Sequence, residues 1–271
     1  MARNALVTGA SAGLGRELVR QLVRDRGMTV LATARRRDRL EALAAEFPEG
    51  RVLVEAGNLA DPAFRRLLWE RAEALPGGID LLVNNAGLGH YAVFPDQDPE
   101  VVRHIFEINV VALSDLTQRA ARHMKARGTG QILQISSVLG FVGMPYSTAY
   151  VASKHAVNGL VKSLRYELRG TGVRVWAACP ARTSSEFNEV ALADPSSTGR
   201  LPHGEPTEKV VRGIIHGLDR RARFLLPTWN AWAIVTFAAW FPRLFEWGMD
   251  RWSAGHFGQE LTQARAAGTG R

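Results

Sequence analysis

The chain has 271 residues, 46% hydrophobic and 22% charged, which is ordinary for a soluble globular protein and enough to bury a full core. A single cysteine, Cys179, excludes an internal disulfide framework and suits a reducing compartment. The net charge of +8 rests on arginines scattered along the chain with only four lysines, so no nucleic-acid partner is expected, although the positive field suits an anionic cofactor or anionic lipid.

Residues 1–7 run directly into a strand pattern, Ala5–Thr8, with no signal-peptide apolar stretch before it, which predicts a cytoplasmic protein. The strand continues into Thr8-Gly9-Ala10-Ser11-Ala12-Gly13-Leu14-Gly15, and a helix over Leu14–Arg26 follows. Glycines so spaced let the backbone turn sharply and approach a pyrophosphate, whose charge the amides at the helix N-terminus would face. Gly9, Ser11, Ala12, Gly13, Leu14 and Gly15 are therefore candidate cofactor contacts; the alternative is a tight strand-to-helix turn and nothing more. A second strand, Thr29–Thr33, leads to Ala34-Arg35-Arg36-Arg37 and a helix over Arg37–Glu46. No carboxylate stands where a ribose diol would be held, and a guanidinium suits a 2′-phosphate, so NADPH is expected over NADH, with Arg35 the first contact and Arg36 the second. A solvated basic helix start is the competing reading.

The third strand, Val52–Glu55, precedes a helix over Pro62–Leu75 with Asp61 as its cap and Pro62 at its first position. The fourth, Ile79–Val83, ends at Asn84-Asn85-Ala86-Gly87. A long helix over Pro99–Arg127 then lines up Val102, Ile105, Phe106, Val110, Leu113 and Leu116 on one face. The fifth strand, Gln131–Ser136, is followed by Ser137, and a second long helix, Ala149–Gly170, opens with Tyr150-Val151-Ala152-Ser153-Lys154. Tyrosine and lysine four apart share a helical face, where an ammonium favours tyrosinate. Strand Val173–Ala178, a mobile excursion over Asn188–Glu205, helix Thr207–Leu218 and strand Arg223–Leu226 complete the pattern. Short apolar strands alternating with helices predict a doubly wound α/β sheet, seven mainly parallel strands with helices on both faces, whose ligands bind at the carboxyl ends of the strands.

The glycine turn, Asn-Asn-Ala-Gly, Ser137 and the Tyr150/Lys154 pair together resemble the short-chain dehydrogenase/reductase family, over residues 3–226, with its Rossmann-like fold. The resemblance implies that Tyr150 protonates a carbonyl oxygen or deprotonates an alcohol, and that Ser137, rather than Ser136, orients that oxygen. It implies that Lys154 holds the nicotinamide ribose and lowers the tyrosine pKa, and that Asn109 holds a water linking Lys154 to solvent. Hydride would pass directly from NADPH or to NADP+, so no metal is needed. Leu59, Asn85, Ala86, Gly87 and Pro180 are further cofactor positions by the same resemblance. Two positions depart from the family pattern. Asn58 stands where an aspartate commonly receives the adenine amino group, and its side-chain carbonyl can accept the same bond. In Pro180-Ala181-Arg182-Thr183-Ser184-Ser185, Ser185 takes the place of the threonine near the carboxamide, with Thr183 as the alternative.

His90 and Tyr91, after the Asn-Asn-Ala-Gly turn, and Met144 and Tyr146, between Ser137 and Tyr150, are candidate substrate contacts; solvated loop is the alternative. Cys179 reads as a small buried residue, since no base stands at useful spacing. Residues 1–226 form the dinucleotide-binding and catalytic domain, and 227–271 a Trp-rich C-terminal helical extension that is not an independent domain. The stretch from Trp229 to Phe241 is too short to span a bilayer. It packs over its own cleft, docks on a neighbouring subunit, or lies peripherally in a membrane interface. The resemblance implies a homodimer or homotetramer built through the two long helices. The expected partner is a small-molecule carbonyl or alcohol, fairly large and apolar. A catalytically silent NADP(H) sensor and a membrane-surface protein on a reductase scaffold are the rival functions.

Overall fold

The computed structural model describes residues 3–184, 204–220 and 222–254. Seven strands form one sheet: β1 (Asn4–Thr8), β2 (Thr29–Ala34), β3 (Val52–Ala56), β4 (Leu81–Asn84), β5 (Gly130–Ile135), β6 (Val173–Ala178) and β7 (Phe224–Leu225). Their order is β3-β2-β1-β4-β5-β6-β7 and every pairing is parallel. The chain winds outward from β1 to β3, then restarts at β4 on the other side of β1. The crevice between the ends of β1 and β4 is therefore the switch point at which such sheets bind ligands.

Alternate residues of each strand feed two cores. Ala5, Val7, Val30, Ala32, Val83, Leu133 and Trp176 face helices α1 (Gly13–Arg26), α2 (Arg37–Ala44) and α7 (Thr207–Gly217). Leu6, Leu31, Leu82, Ile132 and Val175 face the opposite way, onto α3 (Pro62–Glu73), α5 (Leu113–Arg127) and α6 (Thr148–Glu167). Burial on both faces explains why these strands carry consecutive apolar residues rather than a strict alternation. Asp61 caps α3 by accepting from the Ala63 amide at 2.8 Å, with Pro62 at the first position.

The helix expected over Pro99–Arg127 is not uniform. It runs as α4 (Pro99–Phe106), a π-helical segment Glu107–Ala112 and then α5. Buried Arg65 on α3 braces this segment, donating to Glu107 and Asp115 at 2.8 Å each and to the Leu59 carbonyl at 2.7 Å. The tail forms α8 (Trp229–Trp240), and a helix over 242–254, here α9, starts at Pro242. Among the described residues no helix is long and apolar enough to cross a membrane. The segment read as a mobile excursion lies outside the described residues apart from Gly204 and Glu205.

Candidate active site

Thr8, at the end of β1, ties the two sides of the switch point together. Its Oγ accepts from the amides of Asn85 and Ala86, each at 3.0 Å. Asn85 Nδ2 answers by donating to the carbonyls of Thr8 at 2.9 Å and Gly9 at 3.2 Å. The turn that follows has no room for a side chain at Gly9 or Gly15. Gly9 adopts φ of 68°, and a Cβ there would lie 2.8 Å from Ala86 Cα. On Gly15 a Cβ would stand 2.2 Å from the Gly9 carbonyl oxygen. Helix α1 begins directly afterwards with Ala12 at its cap position and no side-chain cap, so its first amides have no side-chain acceptor. A backbone cradle with uncapped helix amides fits a dinucleotide pyrophosphate.

At the end of β2, Arg36 lies over this turn and donates to Ser11 Oγ through Nε at 3.3 Å and a terminal nitrogen at 3.2 Å. Arg35 is exposed, and both arginines line the cleft. Asn58, after β3, is also on the cleft; its Oδ1 accepts from the Ala60 amide at 3.0 Å, with Leu59 buried beside it.

Ser137 and Tyr150 meet across the mouth of β5. Ser137 Oγ accepts from the Leu139 amide at 3.1 Å and also reaches the Tyr150 hydroxyl, whose pKa it lowers. Ser136 is committed elsewhere: its hydroxyl donates to Asn158 Oδ1 at 2.7 Å, and Asn158 in turn donates to the Gly140 carbonyl at 2.8 Å. Enclosure by protein outweighs the Ser137 bond and pushes the Tyr150 phenol up to about 12. Burial also pushes Lys154 down to about 8. The Lys154 ammonium donates to the Ile135 carbonyl at 2.8 Å and sits 5.5 Å from the centre of the Tyr150 ring. In the protein alone the tyrosine is thus held protonated, the state from which it gives up a proton. The Cys179 thiol, fully buried nearby, is likewise pushed up to about 12 by burial.

Asn109 lies behind this pair, within the π-helical segment and fully buried. Its Oδ1 accepts from the Leu88 amide at 2.7 Å, and its Nδ2 donates to the Leu88 carbonyl at 2.8 Å and to Ser153 Oγ at 3.0 Å. The side chain therefore fixes the loop after Gly87 against the first turns of α6. Gly87 lies beside both groups, and a Cβ there would be in ordinary contact with Asn109 Oδ1 at 3.4 Å and Lys154 Nζ at 3.7 Å.

A single cleft of about 690 Å³ takes in Gly9, Ser11 to Gly15, Arg35, Arg36, Asn58, Leu59, Asn85 to Gly87, Ser137, Tyr150, Lys154, Pro180 and Thr183. Ser185 lies outside the described residues. His90, Tyr91 and Met144 line the same space. Tyr146 stands behind Tyr91, with the two rings stacked at 5.4 Å between centroids. Three tail residues, Asn230, Ile234 and Trp252, close the far wall. Sequence reasoning did not single out Thr8, Asn158 or Arg182, nor which tail residues reach the cleft. A threonine ending an otherwise apolar buried strand was a signal for the first; the others depend on packing between distant segments.

A doubly wound parallel sheet with this turn at its switch point defines a dinucleotide-binding α/β protein. The match to the family described as short chain dehydrogenase covers residues 3–195, and the chain belongs to that family of oxidoreductases. An uncharacterized oxidoreductase of Myxococcus xanthus is 41% identical over 189 residues, covering 68% of this chain and 74% of the relative. A 3alpha-hydroxysteroid dehydrogenase of Mediterraneibacter gnavus is 34% identical over 186 residues, with the same coverage of 68% and 74%. Among solved structures, a short-chain dehydrogenase from Sphingobium yanoikuyae in complex with NADPH superimposes with a TM-score of 0.77 at 30% identity, over 97% of this chain and 95% of that one.

Proposed function

We propose that this protein is an NADP(H)-dependent oxidoreductase acting on the carbonyl or secondary alcohol of a fairly large apolar compound. The observation that carries the reading is the single cleft, on which the glycine turn, Ser137, Tyr150 and Lys154 all open, with Asn109 braced behind them. When bound, the nicotinamide supplies or takes up the hydride. Gly9 and Gly15 leave the approach to the α1 amides clear for the cofactor phosphates, and Lys154 holds the ribose. Tyr150 delivers its proton to the carbonyl oxygen, or takes one from the alcohol, while the Ser137 hydroxyl holds that oxygen in place. Asn109 positions the Leu88 loop and Ser153, and through them the entry of α6.

The 2′-phosphate is assigned to Arg35 and Arg36, with Ser11 between the turn and the Arg36 guanidinium. The Sphingobium relative with bound NADPH supports this preference. Ile108, Met144, Ile234 and Trp252 on the cleft wall support an apolar substrate, as does the steroid named for the Mediterraneibacter relative. We read residues 1–226 as the catalytic domain and the tail as its cover, since α8 packs on the turn Val138–Gly140 beside Ser137. Exposed Val111 and Tyr166 on the long helices suit a homo-oligomer. The outward side of the tail, with Trp229 74% and Trp240 77% exposed, favours a second role in peripheral membrane contact, which flotation with anionic liposomes would test against a chain ending at Leu226.

The deciding experiment measures NADPH and NADH binding by fluorescence for the wild type and Tyr150→Phe, followed by turnover on a carbonyl panel. NADPH preference with turnover lost by roughly 100-fold or more in the variant, and binding kept, is the expected outcome. Tight NADPH binding with no turnover of any carbonyl favours a silent sensor instead. NADH preference would overturn the Arg35 and Arg36 assignment.

A further inference from the structure

Among the described residues, no aspartate or glutamate lines the cleft, whereas Arg35, Arg36, Lys154 and Arg182 do. Three of these cations have roles in the reading above. Arg182 does not. Its backbone is fixed: its carbonyl accepts from the Glu205 amide at 2.9 Å, and the Ser184 amide donates to the Glu205 carbonyl at 2.9 Å. The nearby Glu205 carboxylate is engaged by Lys209 at 2.9 Å rather than by Arg182. Arg182 is partly buried, burial lowers its pKa, and among the described residues no carboxylate pairs with it. A partly desolvated cation on a cleft wall marks a place where a ligand's charge is worth more than in water.

The position of Arg182 favours the substrate over the cofactor phosphates. The ends of β1 and β6 are three strand spacings apart, roughly 14 Å. The pyrophosphate cradle is at β1. The segment carrying Arg182 instead hangs on the Ser137 side, where the Val138 amide donates to the Pro180 carbonyl at 3.1 Å. We propose that Arg182 receives the carboxylate of an amphiphilic substrate, whose apolar body lies along Ile108, Met144, Ile234 and Trp252 and whose carbonyl meets Tyr150. This deepens, and rests on, the oxidoreductase reading above. It narrows the substrate class from apolar ketones to apolar oxo-acids and the matching hydroxy-acids. The planar fork of an arginine suits a carboxylate through two parallel N–H donors, a geometry that lysine cannot copy.

The test uses the full chain, wild type, Arg182→Gln and Arg182→Lys, with a series of aryl oxo-acids of increasing methylene spacing and their methyl esters. Turnover is measured with NADPH, and binding of the same acids and esters to the protein with NADP+ is measured by calorimetry. At the best spacing the wild type should favour acid over ester. Arg182→Gln should weaken the acid by roughly 10- to 100-fold and leave the ester and the NADPH Kd unchanged, with Arg182→Lys between the two. Wild type binding acid no better than ester at every spacing overturns the proposal. So does NADPH binding that weakens in Arg182→Gln while the melting temperature holds, since the guanidinium would then belong to the cofactor diphosphate. Arg182-dependent binding of the acids without turnover of any carbonyl would support this site while refuting the reaction assigned to it.

Discussion

Replacing Lys154 with methionine removes an ammonium that folding must strip of water. The group is 4% exposed, and burial lowers its pKa from 10.5 to about 8. Each tenfold change in proton affinity is worth about 1.4 kcal/mol, so keeping this lysine charged in the fold costs about 3 kcal/mol. Below the folded pKa both states are protonated, and the wild type bears that cost in full. Between about 8 and 10.5 the unfolded chain holds a proton that the folded chain has released, so wild-type stability rises with pH. Above 10.5 both states are neutral and the cost is gone. Methionine does not titrate. The stability of Lys154→Met relative to wild type should therefore fall by about 3 kcal/mol between about pH 7 and pH 11. Losing the bond to the Ile135 carbonyl adds an offset of about 1 kcal/mol against the variant across the range. Urea unfolding of both proteins without cofactor, at matched pH values, gives the difference, and the titrating groups that do not interact with Lys154 cancel. Parallel stability curves would refute the burial argument for Lys154.

Thr8→Val keeps the shape of the strand end but leaves the Asn85 and Ala86 amides without their acceptor; a loss of about 2 to 4 kcal/mol in chemical unfolding and weaker NADPH binding are expected. Gly15→Ala places a methyl 2.2 Å from the Gly9 carbonyl oxygen, and should weaken NADPH binding at least tenfold while Tyr150→Phe leaves it intact. Trp176 is fully buried between β6 and α7, where Trp176→Ala should cost about 3 to 5 kcal/mol by calorimetry. Ile234→Trp, a substitution on the tail wall of the cleft, should raise KM for bulky ketones far more than for small ones; equal effects would detach α8 from substrate choice.

The strands were legible because most are short apolar runs bounded by turn residues and alternating with helical patterns. Boundaries drifted where single polar residues decide them, as at β4, where the strand takes Leu81–Asn84 rather than starting at Ile79. The tail was legible as apolar and aromatic, but its composition alone admitted three partners. Only the packed chain brings Asn230, Ile234 and Trp252 to the cleft wall and leaves Trp229 and Trp240 outside.

The sequence by itself determined the fold, because hydrophobic period and glycine spacing are local properties of the chain, and it set Tyr150 and Lys154 on one helical face by their four-residue step. It could not reveal that Asn109 lies in a π-helical segment with its side chain held by Leu88 and Ser153, 21 and 44 residues away. Nor could it set the charge balance at Tyr150 and Lys154. An ammonium four residues away suggested a lowered phenol, but burial by segments from β5 and β6 raises the tyrosine and lowers the lysine. Desolvation is a property of what surrounds a group, and only the tertiary structure decides that.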